Sequence, residues 1–177
     1  MSVSKIQFSA LKLLHWFNNI QNDETLNTPM NLSRLIFSIN RAKKIKILNS
    51  HYNNLELLID KLIGMQNSDG SWNEIYFNYG INTKSTLATA FVATRLLKLL
   101  YDKCKSNHKL KTSVIKAAEY VSKQEIQPGF FLKSEIINED TVNVNMVCAL
   151  FFLYMHNFTN DRLFIEIANR TVNRVIK

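Results

Sequence analysis

The sequence predicts an all-α chain, laid out as an array of about three helix pairs with one further helix. Three observations predict it. Apolar residues recur at steps of three and four along most of the 177 residues, the spacing of helices with one buried face. Helix breakers are scarce, with 4 Gly and 2 Pro, too few for the many turns of a sandwich or barrel. A block of Gln, Gly, any residue and an aromatic follows two separate apolar helices, so one helix-pair unit is repeated.

The elements follow in order. Ile6, Leu11, Leu13, Leu14, Phe17 and Ile20 give a first helix its apolar face. Thr28 caps a second helix, opened by Pro29, with Leu32, Leu35, Ile36 and Ile39 turned inward. Asn53 or Asn54 starts a third, carrying Leu55, Leu58, Ile59, Leu62 and Ile63. Residues 67–82 read as a loop. A fourth helix is predicted at about 83–102 and a fifth at 112–123. After the Pro128–Gly129 turn, a sixth covers about 140–156, and a seventh runs from Asn160. No linker or composition shift marks a boundary, so the sequence predicts a single domain, 1–177.

Composition narrows the function. Hydrophobic residues make up 46% and charged residues 20%, a globular balance. The net charge is +8, with basic runs at Arg41–Lys46 and Lys103–Lys111. Such runs suit helix C-termini. Neither carries interleaved aromatics or a nucleic-acid motif, so no nucleic-acid partner is expected. Cys104 and Cys148 form no CxxC, and the Cys104/His108 spacing lacks a third ligand, so no metal site is expected. The opening residues read as a helix rather than a signal peptide. The longest apolar run, Val147 to Met155, is too short to span a bilayer. No transmembrane segment and a reduced, cytoplasmic setting are therefore expected. Serine-hydrolase, P-loop, dinucleotide-binding and zinc-protease motifs are absent, as is an Asp-rich DDxxD run.

The repeat is the strongest signal. Leu62 to Trp72 reads LIGMQNSDGSW, and Tyr120 to Phe131 reads YVSKQEIQPGFF. Gln66 matches Gln124, 58 residues on, Gly70 matches Gly129, and Trp72 matches Phe131. Each block leads into an apolar, Ala-containing helix, and a fainter copy lies at Leu14 to Gln21. A Gln side chain, with donors and an acceptor, bridges a helix end to nearby backbone. Gly permits the turn, and the aromatic seals the junction.

Gln66, Gly70 and Trp72 in MQNSDGSW resemble the QW motif of squalene-hopene and oxidosqualene cyclases. DGSW followed by STLATAFVATRLL is similar to the helical γ-domain of class II diterpene cyclases. The matching segments span roughly residues 55–155. The resemblance implies an α/α toroid, here a partial (α/α)6 barrel, because a complete ring needs about six helix pairs. It implies a terpenoid-cyclase-like domain or subunit that shapes an apolar cavity for a polyprenyl substrate. A partner cyclase chain or a second copy would cover the open face, and Mg would serve only if a diphosphate were bound. In those cyclases an Asp-rich motif followed by Thr supplies the proton that starts cyclisation. Glu139 and Asp140, before Thr141, stand at the similar place, with Ile137 where the first Asp would be. The other reading of these two residues is capping of the following helix. A non-catalytic helical-repeat module for a protein or lipid partner is the alternative function.

Overall fold

The computed structural model describes residues 27–44, 55–76, 80–103, 107–137 and 139–176. The predicted first helix, the faint repeat at Leu14 to Gln21, Cys104 and the Asn53/Asn54 helix start lie outside them. Among the described residues there are six α-helices and two short hairpins, so the chain is all-α in class. None of these helices is long and apolar enough to cross a membrane. The chain divides into two compact units, Met1–Gly64 and Met65–Lys177.

In the first unit, α1 spans Pro29–Lys44 and α2 spans Leu55–Gly64, and the two pack together. Thr28 starts α1: its Oγ1 accepts the Asn31 N–H at 3.3 Å and its carbonyl accepts the Leu32 N–H at 2.8 Å. Pro29 follows, where its missing N–H costs nothing. Leu32, Leu35, Ile36 and Ile39 are buried, as are Leu55, Leu58, Ile59 and Leu62 of α2. Arg41, Lys43 and Lys44 fill the last turn of α1, where the helix dipole favours cations.

The second unit opens with a correction. Where a loop was expected at 67–82 and the start of a helix at about 83, Trp72–Tyr76 (β1) and Ile81–Ser85 (β2) form an antiparallel hairpin, with Trp72 opposite Ser85 and Tyr76 opposite Ile81. Its β-branched and aromatic residues suit a pleated ribbon. Then come α3 (Thr86–Lys103), α4 (His108–Lys123), the small hairpin β3 (Glu125–Gln127) and β4 (Phe130–Phe131), α5 (Val142–Thr159) and α6 (Arg162–Val175). Asn107 caps α4 by accepting the Leu110 N–H at 3.1 Å, and Asp161 caps α6 by accepting the Leu163 N–H at 3.0 Å. Asn160, at φ 59°, ends α5 in the left-handed conformation, which Asn tolerates. Packing runs α3 on α4, α3 on α5 and α5 on α6. Trp72, Phe131, Phe151, Phe152, Leu96 and Leu97 are fully buried.

Candidate functional site

The two repeated blocks form two clasps in equivalent settings. In the first, Gln66 Nε2 donates to the Gly70 carbonyl and to the Ser113 carbonyl of α4, both at 2.9 Å. Gly70 has φ 92°, and a Cβ there would lie 2.2 Å from the Lys116 carbonyl oxygen. Only glycine allows that backbone to touch α4. Trp72 is fully buried, and its N–H donates to Thr89 Oγ1 at 2.9 Å.

In the second clasp, Gly129 has φ 78°, and a Cβ there would lie 2.8 Å from the Arg170 carbonyl oxygen of α6. Phe131 is fully buried, and its N–H donates to Asn145 Oδ1 at 3.0 Å. Thr89 and Asn145 each stand three residues after the first residue of α3 and α5. Lys116 and Arg170 each stand eight residues after the first residue of α4 and α6. The glycine of each clasp thus meets the same turn of α4 or α6, and the backbone N–H of each clasp aromatic meets the same turn of α3 or α5.

The glutamines differ. Gln124 contributes its backbone: its N–H donates to the Val121 carbonyl and its carbonyl accepts from Leu132. The side-chain bridge passes to Glu125. Its Oε1 accepts the Gly129 N–H at 2.7 Å and Arg170 Nε at 2.6 Å, while Arg170 Nη2 pairs with Oε2. Burial pushes the Glu125 carboxyl up, but the Arg170 and Gly129 hydrogen bonds outweigh it and hold the group below its usual range.

A surface chain joins the clasps. Asp69 Oδ1 accepts the Ser71 N–H at 3.0 Å and the Ser71 hydroxyl at 2.7 Å, closing the turn. Its Oδ2 lies 2.8 Å from Lys84 Nζ, which is 3.7 Å from Glu135 Oε1. Burial raises the Asp69 carboxyl, but the Lys84 and Ser71 hydrogen bonds and the Lys84 charge bring it down to about 2. The Lys133 carbonyl accepts the Thr86 N–H at 2.9 Å, so the segment after the second clasp also closes the N-terminus of α3.

Of the two candidate acids, Glu139 is exposed, and its carbonyl accepts the Thr141 hydroxyl at 3.2 Å. Asp140 is paired. Arg174 Nε and Nη2 donate to its Oδ2 at 3.1 and 2.8 Å, and Asn145 Nδ2 donates to its Oδ1 at 2.6 Å. The Arg174 hydrogen bond, above all, holds the Asp140 carboxyl below its usual range, against slight burial. A general acid needs the reverse shift. Asp140 instead orients the Asn145 amide so that its oxygen receives Phe131. Thr141 is the N-cap of α5, without a side-chain capping bond.

A groove of about 560 Å³ lies elsewhere in this unit. Ile115, Ala118 and Glu119 of α4, Met155 of α5, and Leu163 and Phe164 of α6 line it, with Lys123 and Asp161 also in its wall. Its size falls within the usual range for small-molecule sites, about 300–1,000 Å³. Among the described residues no group of three His, Cys, Asp or Glu is placed to hold a metal ion. Cys148 is wholly buried, and burial pushes its thiol up, so it is inert.

No family model, curated protein or solved structure matches the chain.

Sequence reasoning did not find Glu125, Arg170, Thr89 or Asn145. Glu125 sits beside a residue that was picked out, Gln124. Its partner is 45 residues away, and nothing local in α6 distinguishes Arg170 from the other arginines. The groove was equally hidden, because its residues come from three helices.

Proposed function

We propose that this chain is a non-catalytic helical-repeat binding module, akin in design to the terpenoid-cyclase toroids, that holds an apolar chain of the polyprenyl class. The carrying observation is the groove between α4 and α6, floored by Met155 and walled by Ile115, Leu163 and Phe164. An apolar chain there would leave water, at a gain of about 25 cal/mol per Å² buried. Binding without chemistry is favoured because Glu139, which would stand at the acid position of the cyclases, is exposed, and Asp140 beside it is committed to Arg174 as a carboxylate. A partner cyclase chain or a second copy belongs to the same reading, as the cyclase resemblance implies.

The test is incubation of the purified chain with a fluorescent polyprenyl diphosphate. Saturable binding is expected, with the compound recovered unchanged. Ile115→Glu with Leu163→Glu, at positions 44% and 51% exposed, should weaken binding by about tenfold or more while leaving the fold intact. A cyclised product would replace the binding reading with the catalytic one. No saturable binding would remove the polyprenyl ligand.

A further inference from the structure

Helices α4 and α6 stand at matching places in the repeat, but they are held by different means. Seven of the 16 residues of α4 are buried, against three of the 14 of α6, namely Ile167, Ala168 and Thr171. The first clasp grips α4 with a neutral bond, from Gln66 to the Ser113 carbonyl. The second grips α6 with charge. Glu125, two residues beyond the end of α4, accepts both Arg170 hydrogen bonds. Asp140, just ahead of α5, accepts both from Arg174. The Arg174 guanidinium also lies over the Phe130 ring, 5.3 Å from its centre. Along its length α6 packs on α5, and only Asn160 and Asp161 join the two helices. Among the described residues Asn160 is the one non-glycine with positive φ, 59°. Near its start α6 supplies Leu163 and Phe164 to the groove, and Phe164 stacks on Phe152 with ring centres 5.7 Å apart.

We infer that α6 is a hinged wall of the groove, swinging on Asn160 and latched shut by the Arg170 and Arg174 ion pairs. A helix that buries little apolar surface opens locally at low cost. The ion pairs fix its position without adding such surface. The Arg174–Asp140 pair, 33% and 42% exposed at the side chains, is a weak tie. The Arg170–Glu125 pair is better shielded, at 36% and 11%, and is the principal latch. It fixes α6 to the chain that leaves α4, and so it sets the distance between the two walls. The link at Asn160 is short, and a single residue at an element's end can absorb the change of φ and ψ that a swing requires. The floor residue Met155 is 1% exposed, and Phe152 is fully buried. Opening of α6 bares both, so an apolar chain reaches the floor from the side rather than by threading from one end. That role in ligand entry rests on the polyprenyl reading, whereas the hinge and latch do not.

Amide hydrogen exchange on the full chain, at neutral pH and without ligand, tests the latch. Protection of α6 should be at least about tenfold lower than that of α4. Glu125→Gln with Asp140→Asn removes both carboxylate charges at nearly constant size. It should lower α6 protection by about tenfold more, with α3 and α4 changed by less than about twofold. On the wild-type chain, salt at about 1 M, where the Debye length is about 3 Å, should act in the same direction. Lys84→Met, which breaks the pairs with Asp69 and Glu135, should leave α6 as it was. Exchange of α6 in step with α3 and α4 would overturn the inference. So would a double variant whose α6 is as protected as before, or one that loses protection evenly across the unit. With a polyprenyl diphosphate bound, α6 should regain protection; bound ligand with α6 unchanged would remove it from the entry path. Because the latch is read without ligand, failure of the chain to bind any polyprenyl compound would strike the groove reading alone.

Discussion

At Gly70 one methyl group decides whether the first clasp closes. Its φ of 92° already disfavours any side chain, and an added Cβ would lie 2.2 Å from a helix carbonyl. Gly70→Ala should cost on the order of 3 kcal/mol or more in urea unfolding. Gly64→Ala is the matched control: it has nothing within 4 Å and ends α2, so Ala should be neutral or stabilise by at most about 1 kcal/mol. The Glu125–Arg170 pair gives a second measurement. Glu125 is 11% and Arg170 36% exposed at the side chain, so the pair is half-shielded. Arg170→Met should cost about 2 kcal/mol, since it leaves a mostly buried carboxylate without its cation. Adding Glu125→Gln should cost less than a second independent loss, and a double-mutant cycle reads the difference.

Among the elements, the turn before the first hairpin carries the largest carboxyl shift of the described residues, beside the smaller ones at Glu125 and Asp140. Asp69 is held near 2 in the folded chain against an ordinary value of 3.8. A carboxyl lowered on folding adds stability that is fully present above its unfolded value and is lost as pH falls through its folded value. The melting temperature should therefore drop between about pH 5 and pH 2, with a shallower acid limb in Asp69→Asn. The elements also show what the residue pattern could reveal. Thr28 and Pro29 announced α1, and its buried face is the predicted one. The end of α5 fell three residues later than expected, at Thr159, because Asn160 rather than His156 takes the left-handed turn. The hairpin went unseen since Asn73, Glu74, Asn82 and Lys84 gave it the polarity of a loop. Trp72 and Phe131 were legible as clasp aromatics because each follows a glycine at the same short distance. The groups that fix them come from the next helices, and their match depends on how helices stack rather than on any short run of sequence.

For the whole molecule, repetition of the helix pair is the organising fact. It was visible in the sequence through Gly70, Trp72, Gly129 and Phe131, and the equivalent turns of α3 and α5 express it in three dimensions. Charge and composition revealed far less about the groove, which exists only once α4, α5 and α6 meet. The clasps also impose an order in time. Each one is completed by a helix that comes after its own turn. The first has all its partners once Lys116 has left the ribosome. The second needs Arg170 and, through Asp140, Arg174. A nascent chain paused between these points would hold the hydrogen-bond partners of Gln66 and of the Trp72 backbone but not the Arg170 partner of Glu125, so the first clasp can close while the second is still open.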